Sequence, residues 1–176
     1  MNSPSSSPQP LLRTSLLFGA GLGVVALIWV GVLVLTGDNP YGPKRLMTVP
    51  LVPLVVLASQ WFVRRYYPTG PGLRRSISTG LLTALIASAV SAATLYGLAR
   101  NADPELLEQN AAEARQILQG ARSYYLKQPQ GAKQYQLAQQ ALAGPTKPQD
   151  LAQDEFVKKM LLGFLFAVPG GIFLRK

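Results

Sequence analysis

Four stretches of the chain carry no charged side chain, and polar segments separate them. They run Thr14–Gly37, Leu46–Val63, Ser76–Ala99 and Met160–Leu174. A helix crosses the hydrocarbon of a bilayer with about 20 mostly apolar residues. The first and third runs satisfy that length alone; at 24 residues each they would rise roughly 36 Å. In the second run, Pro50 fits a first helical turn behind a Thr48 cap. Pro53 either kinks that helix or delays its regular start. The fourth run has 15 residues, roughly 22 Å of rise. It spans if the helix begins near Phe156 and Lys158 and Lys159 snorkel to the interface; otherwise it is re-entrant or interfacial. Pro169-Gly170-Gly171 is expected to distort its last turn.

Between the third and fourth runs the pattern becomes polar. Asn101 or Asp103 can cap a helix with Pro104 in its first turn and Glu105 and Glu108 near its positive end. Leu106, Leu107, Ala111, Ala114, Ile117 and Leu118 keep a helical period up to Gly120. Pro129-Gln-Gly131 is a break, and a second helix is predicted over 132–143. A third is expected from Pro148 through Leu151 and Phe156 into the fourth run, about 27 residues without interruption. Eleven of residues 101–155 are Gln, an uncharged helix former. The apolar stripes are thin, so these helices need the membrane, one another or a partner for cover.

The expected fold is therefore all-α: a polytopic membrane protein with four transmembrane helices and a polar helical insertion between the third and fourth. Its parts are a disordered tail (1–12), a three-helix membrane region (13–99), the insertion (100–155), and the fourth helix with a basic end (156–176). The tail is rich in Ser and Pro. The first run lacks the cleavage site of a signal peptide.

Charge sets the orientation. The chain carries 17 Lys and Arg, 8 Asp and Glu, and a net charge of +9. Residues 101–155 hold a net −2, so the remainder carries +11. Arg64, Arg65, Arg74 and Arg75 crowd one short loop, and the chain closes on Arg175-Lys176. The positive-inside rule puts this loop and both termini in the cytoplasm. Counting the whole polar segment would favour the reverse, ten basic residues to seven, but long segments cross largely regardless of charge. Arg64, Arg65, Arg74, Arg75, Lys158, Lys159, Arg175 and Lys176 are expected to contact lipid headgroups. No basic face with interleaved aromatics exists for nucleic acid.

Candidate chemistry is sparse. The absence of His and Cys removes the commonest general base, thiolate nucleophiles and the commonest soft-metal ligands. No Asp, Glu, Lys, Arg or His lies within the four runs, which argues against a proton-coupled pump. Gln60, next to Trp61, is expected at an interface. Gly19 and Gly23 form a GxxxG pair, and Gly80, Ala84 and Ser88 continue a small-residue series in the third run; these five are the helix-packing candidates. Helix-dipole stabilisation accounts for Asp103, Glu105 and Glu108 without catalysis. No catalytic residue, cofactor or metal is expected, and the chain is not read as an enzyme.

Three segments carry a resemblance: Gly72 to Gly80 (GLRRSISTG), Tyr96 to Leu106 (YGLARNADPEL) and Leu161 to Lys176. With them the chain resembles the bacterial membrane-protein family called domain of unknown function 4199. That resemblance implies a four-helix bacterial inner-membrane protein and no known activity. Two functions remain open from the sequence. One is a non-enzymatic interaction, scaffold or complex-subunit role. The other is a small transporter or channel component acting as an oligomer, in which Gln60, Thr79, Thr83, Ser88 and Ser91 would surround water. The expected partners are the lipid bilayer and either another membrane protein or further copies of the chain.

Overall fold

The computed structural model of the protein describes residues 9–176, which form helices and turns without any strand. The helices are α1 (Gln9–Leu35), α2 (Leu51–Val63), α3 (Gly72–Arg100), α4 (Pro104–Gly120), α5 (Arg122–Leu126), α6 (Gly131–Ala141) and α7 (Pro148–Phe173). Short 3₁₀ segments over Pro43–Thr48 and Arg64–Tyr66 extend α2 at both ends. Four elements are long and apolar enough to cross a membrane: α1, Pro43–Tyr66, α3 and α7. Of the expected tail, residues 1–8 lie outside the described residues. Residues 9–12 are helical, with Pro10 in the first turn of α1, where its missing N–H costs nothing.

The prolines of the second span act as a start signal. The 3₁₀ turn stops at Thr48, Pro50 caps α2, and Pro53 sits in its first turn. In α7 the continuous run from Pro148 is observed, 26 residues long, or roughly 39 Å. It passes through the expected boundary at residues 155–156 without a break and continues past Pro169 to Phe173.

The central helix is α3, which packs against α1, α2 and, most extensively, α7. Three-fifths of its apolar run is Gly, Ala, Ser or Thr, so neighbouring backbones can approach it. Inside the bundle, Leu22, Val52, Val56, Ala84, Ala87 and Ala167 form one core cluster. The outer faces stay apolar: Leu17, Ile28, Leu35, Leu161, Leu165 and Phe173 are all exposed. Only 28–33% of each apolar window is buried inside the protein. A water-soluble surface does not carry apolar area on that scale, whereas hydrocarbon contact satisfies it.

The polar helices gather at one end of the bundle. Tyr41, Leu95, Ala99 and Leu151 make a second core cluster there, with Leu106 and Leu107 of α4 packed on it. At the opposite end, the Gly72 N–H donates to the Arg175 carbonyl at 3.0 Å. The arginine loop and the chain's basic end therefore lie together, away from α4–α6.

Candidate functional site

The densest chemistry lies where α7 enters the bundle below α4–α6. Asp154, Glu155, Lys158 and Lys159 fall on successive turns of α7, so acids and bases stand four residues apart. Lys158 Nζ is 2.8 Å from an Asp154 carboxylate oxygen, and Lys159 Nζ is 2.7 Å from Glu155 Oε1. Arg45, brought in by the 3₁₀ segment, joins the two pairs. Its Nη2 donates to Asp154 at 2.7 Å, and its Nε faces Glu155 Oε2 at 3.5 Å. Arg45 Nη1 donates to the Tyr41 carbonyl, and Lys159 Nζ donates to Ser91 Oγ of α3. Tyr41 is itself buried, and that burial pushes its phenol pKa up.

This network corrects one reading of the sequence. Lys159 does not snorkel to lipid headgroups; it is fully buried, with side-chain exposure of 0% against 6% for Glu155. Lys158 remains exposed but is paired to Asp154. The short apolar run of α7 is thus lengthened inward, by neutralising charge within the bundle. The sequence reading missed both i,i+4 pairs, although the four-residue spacing of Asp154 with Lys158 and of Glu155 with Lys159 was a signal that could have found them. Arg45 carried no such signal, because its partner lies 109 positions away.

Beside the network opens a cleft of about 450 Å³. Arg45, Asp150, Asp154 and Lys158 line one wall; Ala114 and Ile117 of α4 belong to the other. Arg115 ties that wall down by donating to the carbonyls of Leu142, Ala143 and Gly144 at the end of α6. Asn110 of α4 donates to Thr146 in the connection to α7. Asp103, Glu105 and Glu108 are exposed near the start of α4 and do not converge on the cleft.

Gln60, three residues from the end of α2, faces inward: it is completely buried between α2, α3 and α7. Its amide nitrogen donates to the carbonyls of Ser76 and Ala167, at 3.2 and 2.7 Å. Gly80 and Gly170 leave the room it occupies. Thr79, Thr83, Ser88 and Ser91 of α3 are buried as well. Thr79, Thr83 and Ser88 each donate to the carbonyl four residues back, and Thr83 also donates to Ser59.

The small residues sit at close helix crossings. A Cβ on Gly19 would lie 2.8 Å from Ile86 Cβ, and one on Gly23 would meet Val90. Ala84 closes against Gly163 of α7, and Ser88 is fully buried. At the far end, Arg65 stacks over Trp61 at 4.8 Å and Arg75 over Tyr67 at 4.8 Å. Arg65, Arg74, Arg175 and Lys176 are exposed there, and Arg64 is half-buried. Trp29 donates its indole N–H to the Lys44 carbonyl at 3.0 Å.

Comparison with known proteins gives one family. The model for Protein of unknown function (DUF4199) matches residues 17–176. No curated protein matches the chain, and no solved structure does. The chain belongs to the DUF4199 family.

Proposed function

We propose that this member of the DUF4199 family is a non-enzymatic interaction protein, a subunit or scaffold within a membrane complex. The observation carrying this reading is the surface of α4–α6. Ile117, Tyr124, Leu126 and Leu137 are 52–67% exposed, while the helices bury little of their own beyond Ala111, Leu118 and Tyr135. Such a unit has more apolar surface than it covers, and a protein partner would cover it. The ionic network beneath it fixes α7 to α3 and to the 3₁₀ segment, so the surface stands on a rigid base.

In this reading the basic end is cytoplasmic, α4–α6 face the other side, and the membrane is the bacterial inner membrane. Clustering of the arginine loop with Arg175 and Lys176 supports that orientation. A transport role receives less support, because the Thr79, Thr83 and Ser88 hydroxyls of α3 are engaged by backbone carbonyls and Ser59. They act as helix-packing groups.

The test is photocrosslinking in native membranes. A photoreactive residue at Tyr124, Leu126 or Leu137 should capture one partner in stoichiometric yield, and one at Lys133 should not. Uniform, weak labelling at all four positions would remove the interaction reading.

A further inference from the structure

A second concave surface lies at the basic end, on the lipid-facing side of the α2–α7 contact. It is an apolar groove of about 560 Å³ that includes Leu57, Ala58, Trp61, Phe166, Gly170 and Phe173. No charged side chain lines it. Trp61 is 52% exposed and Phe173 83%, so the groove opens outward to the hydrocarbon.

Its mouth is unlike the rest of the surface. The sequence has no Asp or Glu between Asp38 and Asp103, and none after Glu155. Every acidic side chain thus belongs to the opposite end of the bundle, and the charged side chains at the groove's end are all positive. Arg65 is held over the Trp61 ring, with its guanidinium carbon 4.8 Å from the centroid. Leu174 reaches the groove directly before Arg175, and the Arg175 carbonyl is pinned by the Gly72 N–H. One cation is fixed by stacking, and the backbone that carries a second is tied to the arginine loop, both beside an apolar groove.

We infer that the α2–α7 groove is a binding site for an anionic phospholipid. An acyl chain lies along Leu57, Ala58 and Phe173, and the phosphate meets Arg65, Arg175 and Lys176. This goes beyond general headgroup attraction, because one chain and one headgroup are selected together. A cation near an anionic lipid surface contributes about 1 kcal/mol, or roughly fivefold in affinity. With two or three engaged, selection over a zwitterionic lipid should reach tenfold or more.

The test reads Trp61 directly. The Trp29→Phe variant leaves Trp61 as its sole tryptophan. It is reconstituted in phosphatidylcholine vesicles containing brominated phosphatidylglycerol or, in parallel, brominated phosphatidylcholine. Trp61 fluorescence should be quenched at much lower mole fractions of the anionic lipid. Adding Arg65→Gln, Arg175→Gln and Lys176→Gln should bring the two curves together. Ala58→Phe should weaken quenching by both lipids. A Trp61→Phe variant, reporting through Trp29 at the other end, should show no preference. Equal quenching by both lipids in the starting variant overturns the proposal. Weak quenching by both would mean a second copy covers the groove, which also overturns it. A preference that survives the triple glutamine change would mean diffuse attraction, and the assigned site would be wrong.

Discussion

Replacing Glu155 with Gln tests the ionic network most sharply. Lys159 is fully buried and has two polar contacts, Glu155 at 2.7 Å and the Ser91 hydroxyl at 2.9 Å. Glu155→Gln leaves that ammonium with no carboxylate. Breaking a buried pair from one side costs about 3–5 kcal/mol, since an uncompensated charge remains in a poor solvent for it. At 1.4 kcal/mol per decade, the unfolding constant should rise by two to three decades or more. Lys159→Met should cost less, about 3 kcal/mol, because Glu155 still faces Arg45 at 3.5 Å. The double change Glu155→Leu with Lys159→Met removes both charges and leaves Arg45 with Asp154. Its stability should return to within about 1 kcal/mol of the parent. The assay is equilibrium unfolding in mixed micelles at rising dodecyl sulfate fraction, followed by circular dichroism. If Glu155→Gln falls within about 0.5 kcal/mol of the parent, or the double variant is no more stable than it, the pair is not a buried one.

Three further outcomes are expected. Gly80→Leu would place a Cβ 2.5 Å from the Gln60 amide and 3.0 Å from Ala167 Cβ; a loss of about 1–3 kcal/mol is expected. Gly21→Leu, with nothing within 4 Å, should unfold like the parent in the same micelle titration. Gln60→Ala opens a cavity between three helices and should cost about 2–4 kcal/mol. Gln60→Leu keeps the volume and loses the two amide hydrogen bonds, but it also removes a buried amide oxygen without a partner, so a smaller loss of about 1 kcal/mol is expected. Arg115→Ala releases the carbonyls at the end of α6. Hydrogen exchange should quicken about fivefold over 131–143, equivalent to about 1 kcal/mol, and stay unchanged in α3.

The spans were legible because a run of charge-free residues is a statement about length, and length decides whether hydrocarbon can be crossed. The polar helices were legible from their punctuation: α4 starts at Pro104, the chain breaks at Gln130, which has φ 58°, and α7 starts at Pro148. Direction around a helix was not legible. An all-round apolar helix has no preferred face in sequence, so Gln60 read as interfacial beside Trp61. It points inward because Gly80 and Gly170, on two other helices, make space for it. Lys159 read as a snorkelling residue for a related reason. A lysine can reach outward to headgroups or inward to a carboxylate, and the choice depended on Arg45 and Ser91, which no local pattern connects to α7. Arg45 and Asp154 meet only once the bundle has assembled. The cleft beside them was for that reason invisible in the sequence.

In the proposed arrangement, four spans hold the arginine loop and α4–α6 on opposite faces of one membrane. The chain has no native Cys, so single-cysteine variants need no background removed. In intact cells, an impermeant maleimide should label Gln128→Cys and leave Thr69→Cys unlabelled until the membrane is opened. Both sites labelled together, or both protected together, would contradict the four-span arrangement. Labelling of Thr69→Cys alone would keep the spans and reverse the proposed orientation.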